Sequence, residues 1–458
     1  MRKRLVISIV LFCLTFGLLN IHSDKPFWGI HDWNGARNSN IARNYLRYGL
    51  VETKLGQIEN SGFTNHQNYV YYTHFPPVLT LLMAGSFRVF GVTEWAARLI
   101  PILSTCGVMV LIFLIGELII NWELGLVAAL LSLATPLVLY FGKNPVQEPL
   151  VVFFVLLSYF GFLNLSAGKK YQSIFIGGMI LAELTTWAGF FLIPALTIIC
   201  LLRKDTQGVK KLVPFWILSV VLFVLYLFYV RLITGNFFGG GLYAALLQRS
   251  GIGEAGKVDN INMPAYLLRL RLWYSTLFTS TLSWLSILWL ISKVVTKKVV
   301  DSDWQILTLG IFGVTYSLIF INASYIHNYL VFYQLPFISL SAAIFIKDMV
   351  EKFSLSQYRR LLAGGLILMV FLERFEFIKA LDQSSSDRFP VEVGRFINHQ
   401  TKPDETVIVQ SDPIFRYTAE NFLKFYGDRK LVFSQEASGF GVVVNIDNKR
   451  QIYRLISN

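Results

Sequence analysis

Long apolar runs recur between Leu5 and Leu372, and they decide what this chain can fold into. A bilayer core takes about 20 helical residues to cross and leaves no backbone polar group unpaired, so each run is expected to be helical. The runs are Leu5 to Asn20, Ala96 to Ile120, Leu124 to Phe141, Pro149 to Leu165, Leu212 to Ile233, Leu272 to Val295, Ile306 to Ile321, Tyr329 to Ile346 and Leu361 to Leu372. Tyr171 to Arg203 is too long for one crossing and is basic at both ends. It reads as a hairpin of two short helices with "LTTWAG" at its tip. The expectation is an all-α polytopic membrane protein of about eleven spans. With 54% hydrophobic and 15% charged residues, a soluble globular domain is excluded.

Basic clusters at the N-terminal "MRKR", Lys169, Arg203 to Lys211, Lys293 to Lys298 and Lys347 to Arg360 place one set of loops in the cytoplasm. They account for the net charge of +13 without a nucleic-acid partner. The first run could also be a signal peptide, but no small-residue cleavage site follows it. Cys13, Cys106 and Cys200 lie far apart in apolar runs, which argues against disulfides or a cysteine metal site. Residues 1–373 are therefore expected to form the transmembrane body, with a large first extracytoplasmic loop at 21–95. Residues 374–458 turn polar, with strand-like "TVIVQ" and "KLVFSQ" around a helix-like "DPIFRYTAENFLKFYG". They are expected to form a small α/β appendage, outside by parity.

Four titratable groups from separate parts of the chain fall on the outer side. Asp32 stands beside a helix marked by Ile41, Ala42, Tyr45 and Tyr48 and stopped by Gly49. On its own it reads more readily as a cap. His74 precedes Pro76 and Pro77 at the start of a short surface helix, where free N–H groups favour an anion; an ordinary packed histidine is the plainer reading. Glu148, near Lys143, opens a span, where a carboxylate is costly unless it has a task, although it also suits a helix N-terminus. His327 lies in "NASYIHNYLVFYQLP". Arg37, Arg43 and Arg47 read as a solvated or headgroup-facing side.

The stretches "IARNYLRYG", "HFPPVLTLLMAGSFRVFGVTEWAARL", "EPLVVFF" and "HNYLVFYQLP" resemble the GT-C superfamily of polytopic glycosyltransferases, specifically glycosyltransferase family 39, the protein O-mannosyltransferase and aminoarabinose transferase type. The resemblance implies the GT-C fold and transfer of a sugar from a polyprenyl-phosphate donor to a protein, lipid or glycan acceptor, among membrane lipids and without a nucleotide cofactor. It implies Asp32 as the catalytic acidic residue, with Trp33 where many members carry a second acid, and Glu148 near the second acidic position. In some members a divalent metal binds at the position of His74, and His327 is a companion candidate. The family's frequent Lys-Gly in the hairpin is Thr186-Trp187 here.

A sugar phosphate carries a leaving group that needs no proton, so one base suffices. Asp32 is its candidate, and Lys143, Arg249, Arg269, Arg271 or a metal are candidates to offset the departing phosphate. The alternative is a transporter or flippase of lipid-linked sugars. Such proteins gather polar groups near the midplane, whereas here they collect at span ends on one face.

Overall fold

The computed structural model describes residues 2–252, 262–352, 356–384, 388–434, 442–447 and 452–456. Helix α1 (Arg2–Asn20) leads into the first loop. That loop carries α2 (Asp32–Tyr48), a hairpin of β1 (Gln57–Ile58) and β2 (Tyr71–Tyr72), and α3 (Val78–Phe90). Then come α4 (Glu94–Ile119), α5 (Trp122–Leu133), α6 (Pro136–Phe141), α7 (Gln147–Leu163), α8 (Lys169–Glu183), α9 (Leu192–Leu202) and α10 (Thr206–Thr234). A second loop holds α11 (Leu242–Ser250) and α12 (Met263–Leu277). The body closes with α13 (Ser280–Thr296), α14 (Asp301–Ile319), α15 (Ile321–Ile326), α16 (Leu335–Lys352) and α17 (Ser356–Ser384).

By length and composition, α1, α4, α10 and the segment Asn328–Glu351 can each cross a bilayer, while α12 and α13 pass the same test only when taken together and are bent by 117° where they join. This makes the chain a multi-pass membrane protein but does not establish the expected count of about eleven. Two expected spans are broken, each at a hydroxyl residue that caps a new helix. Leu124 to Phe141 divides where Thr135 accepts from Val138 N ahead of Pro136. Leu272 to Val295 divides at Thr279, whose φ of 72° turns the chain by 117° and whose Oγ1 accepts from Leu282 N.

Where lipid removes most of the hydrophobic drive between helices, close backbone contact and hydroxyl pairs hold them together. A Cβ on Gly125 of α5 would meet Phe113 O of α4 at 2.2 Å, and one on Gly178 of α8 would meet Ser158 N of α7 at 2.6 Å. Ser132 of α5 bonds Ser339 of α16 at 2.6 Å, and Ser286 of α13 bonds Ser341 of α16 at 2.7 Å.

After α18 (Phe389–Gln400), the strands β3 (Thr406–Gln410), β4 (Lys430–Ser434), β5 (Val442–Asp447) and β6 (Ile452–Ile456) form a sheet of order β4-β3-β5-β6. Only the β5–β6 pair is antiparallel. The helix α19 (Pro413–Phe422), capped by Asp412, links β3 to β4. Phe389, Val393 and Ile397 of α18 pack with Val407 and Val409 of β3 in a core of their own.

This unit rests on α2. Arg43 donates to Lys424 O and Phe425 O, and Arg43 and Arg47 both reach Asp428, at 3.1 and 2.6 Å. These two arginines are thus half-buried at an internal interface rather than facing headgroups. Asn38, Asn40 and Asn44 donate to loop carbonyls of Pro145, Glu59, Asn60 and Ile58, which explains the polar composition of α2.

Replacing Gly178 by Val should force α7 and α8 apart. The expected loss is about 1–3 kcal/mol, read as a lower thermal midpoint in detergent by intrinsic fluorescence, whereas Gly177→Val, at a position open to space, should leave it unchanged.

Candidate active site

The segment from Phe27 to Asn34 is a short polar strap fixed from three sides. Arg98 of α4 donates to Ser23 O at 3.0 Å, to Lys25 O, and to Asp32 Oδ2 at 3.3 Å. Tyr140 of α6 and Tyr426 of the C-terminal unit are the second and third anchors. Tyr140 OH accepts from Ile30 N at 2.7 Å, and Tyr426 OH accepts from Phe27 N at 2.7 Å while donating to Glu94 Oε1 at 2.9 Å. Asp32 also accepts from Gly29 N at 2.8 Å. Burial pushes its carboxyl above the ordinary value of 3.8, and the Arg98 guanidinium pulls the other way.

His31 has φ 61° and ψ 8°, a left-handed conformation that is uncommon for a side-chain-bearing residue. It sends neighbouring side chains to opposite cavities. Asp32 lines one of about 580 Å³ with Arg98, Lys143, Trp28, Arg374 and Lys379, beside apolar Leu18 and Leu139. His31 lines another of about 430 Å³ with His74, His327, Glu148, Arg37 and Arg249.

The second cavity is rich in groups awaiting a ligand. Glu148 Oε1 accepts from Tyr333 OH at 3.1 Å, whereas Glu148 Oε2, Arg37 Nε, Arg249 Nη1 and His327 Nδ1 are buried without a partner among the described residues. The Arg37 guanidinium stacks over Tyr72 at 4.3 Å and that of Arg249 over Phe75 at 4.2 Å. Among the described residues neither arginine forms an ion pair. Burial lowers His31 to about 4 and both His74 and His327 to about 3, helped for the last two by the nearby arginines, so all three imidazoles are neutral.

The structure therefore brings His74, His327, Glu148 and Arg249 together and puts Asp32 and Lys143 across the strap. Lys143 Nζ reaches Ile21 O at 2.5 Å. Arg269 and Arg271, expected as phosphate ligands, line neither cavity. The 117° bend carries α12 away, where both line a separate groove and Arg269 donates to Tyr325 O at 3.0 Å.

Sequence reasoning missed Arg98, His31 and Tyr426 and read Arg37 as a surface group. Of these, only Arg37 carried a signal, its place on the face of α2 one turn from Trp33. The hairpin tip also has a defined part here. Trp187 Nε1 donates to His74 O at 2.7 Å and Tyr226 OH to Thr73 O at 2.8 Å, so the Thr186-Trp187 tip fixes the backbone under His74.

A metal on His74 and His327 does not fit this arrangement. Glu148 is the cavity's one carboxylate among the described residues, where no three metal-ligating side chains converge. Two guanidiniums flank the imidazoles instead.

Residues 74–233 match the family model described as dolichyl-phosphate-mannose-protein mannosyltransferase. No curated protein has a matching sequence. The fold is similar to that of ArnT from Cupriavidus metallidurans bound to undecaprenyl phosphate, with a TM-score of 0.65 at 13% identity over 95% of this chain and 86% of that one. It is similar also to the oligosaccharyltransferase AglB from Archaeoglobus fulgidus in complex with an inhibitory peptide and a dolichol-phosphate, with a TM-score of 0.62 at 13% identity. That likeness covers 94% of this chain and 64% of AglB. The same archaeal enzyme in complex with zinc and sulfate gives a TM-score of 0.60 at 14% identity, over 93% and 62% of the two chains. The chain thus has the GT-C fold of polytopic membrane glycosyltransferases, as its sequence implies, and its residues 74–233 match the dolichyl-phosphate-mannose-protein mannosyltransferase model.

Proposed function

We propose that this protein transfers a sugar from a polyprenyl-phosphate carrier to an acceptor hydroxyl on the extracytoplasmic face of the plasma membrane. The observation that carries the reading is the pair of guanidiniums on Arg37 and Arg249, stacked on aromatic rings and without an ion pair among the described residues, on a cavity with an orphaned Glu148 oxygen. Guanidinium is weakly hydrated and forks onto phosphate oxygens, so this cavity suits the donor's phosphate. The orphaned Glu148 oxygen is placed to accept from a sugar hydroxyl. The family match and the lipid phosphates named with the fold's relatives support the same donor class.

Asp32, across the strap, serves as the general base. As the acceptor oxygen attacks the anomeric carbon, Asp32 takes its proton, the bond from that carbon to the phosphate oxygen breaks, and the electron pair leaves with the polyprenyl phosphate. Arg37 and Arg249 offset that charge. Arg98 has the opposite task, keeping a buried carboxylate ionised. No step runs through a metal.

Asp32→Asn should cut transfer from a radiolabelled polyprenyl-phosphate sugar in proteoliposomes by about 10²–10⁴; wild-type rates in the variant would contradict its role. Arg249→Gln should chiefly weaken donor binding, by about ten-fold or more in KM. The rate should fall on the acid side through a midpoint above 3.8, because a raised base protonates earlier, while the three histidines stay neutral well below pH 6. Arg98→Gln should move that midpoint higher still. Tyr426→Phe loosens the strap without emptying either cavity, so kcat should drop about ten-fold at an unchanged donor KM.

A further inference from the structure

The arginines of α12 are left without a part in either cavity, and their surroundings point to a ligand of their own. Helix α12 turns away from α13 by 117°, so with α13 along the membrane normal α12 runs nearer to the membrane plane than to that normal. Tyr266, Trp273 and Leu277 recur at helical spacing and are buried against the body. The opposite face shows Leu267, Leu268 and Leu272 at 57%, 67% and 56% exposure. Three such leucines kept in water would each forgo about 1.5–3 kcal/mol, so this face suits the acyl boundary of a bilayer.

Arg269 and Arg271 stand among those leucines and line a groove of about 410 Å³ with Leu268, Leu272, Ser275 and Tyr325. The Arg269 guanidinium stacks over Tyr325 at 4.1 Å. Among the described residues no carboxylate lines the groove and neither arginine forms an ion pair. Two cations beside apolar side chains, on an in-plane helix, match an anionic phosphate carried on acyl chains.

We infer that α12 lies in the membrane surface and that its Arg269–Arg271 groove binds the headgroup of an acidic phospholipid. The Arg269 bond to Tyr325 O ties this groove to the loop that carries His327, so the lipid would sit on the leaflet facing the site and brace that loop. The inference stands independently of the transfer reaction proposed above.

The test is native mass spectrometry of the full chain released from nanodiscs of equal phosphatidylcholine and phosphatidylglycerol. Wild type should retain phosphatidylglycerol in preference, and Arg269→Gln with Arg271→Gln should weaken that retention by about five-fold per arginine. Lys210→Gln with Lys211→Gln, in a basic cluster on another loop, should retain it as wild type does. Equal retention in the α12 variant, no preference in wild type, or an equal loss in both variants would overturn the inference. Pairing of two chains that the α12 substitutions abolish would instead make this face a contact between copies. A spin label at Leu268→Cys, in a chain whose Cys13, Cys106 and Cys200 are replaced by Ala, gives a second readout that leaves the arginines intact. Collisions with oxygen should exceed those with a water-soluble nickel complex, and the reverse would place α12 in water.

Discussion

The ion pair of Arg98 with Asp32 is the contact on which the arrangement of the site depends. Asp32 and Arg98 are 8% and 5% exposed, and charges so buried are costly unless paired and fully bonded. The cost is met because Arg98 also satisfies the carbonyls of Ser23 and Lys25, and Gly29 N satisfies the carboxylate. One guanidinium therefore fixes the whole turn leading into α2, and α2 in turn carries Arg37, the asparagines that pin the first loop, and the seat of the C-terminal unit.

That turn also divides the space above the bundle. Because His31 is left-handed, residues 31 and 32 face different cavities, one lined by neutral imidazoles and guanidiniums and the other by Asp32 among cations and apolar side chains. The backbone strain at His31 is of the sort that persists where surrounding contacts over-determine it, here Tyr140, Tyr426 and Arg98.

Much of this was legible in the sequence. The apolar runs and the hairpin segment located most helices of the body, Gly49 marked the end of α2, "TVIVQ" is β3 and "KLVFS" is β4. The sequence put Asp32, His74, Glu148 and His327 on one side; the structure gathers the last three with Arg249 in one cavity and sets Asp32 in another. The breaks at Thr135 and Thr279 were not legible, because an apolar run looks the same whether or not a hydroxyl within it caps a new helix. The second break also sets Arg269 and Arg271 apart from both cavities. Arg98 was hidden for another reason: within a helix following "TEWAA" its partner lies 66 residues away, and nothing local marks a cation as buried. Tyr426 is likewise set by a contact across 399 residues.

The most direct test of the account is a structure of the protein in nanodiscs with a polyprenyl phosphate, by cryo-electron microscopy. The account predicts the phosphate between Arg37 and Arg249, on the His31 side of the strap, with the Arg98–Asp32 pair intact opposite it. A phosphate bound instead beside Asp32, on Lys143 and Arg374, would contradict it and exchange the roles of the two cavities.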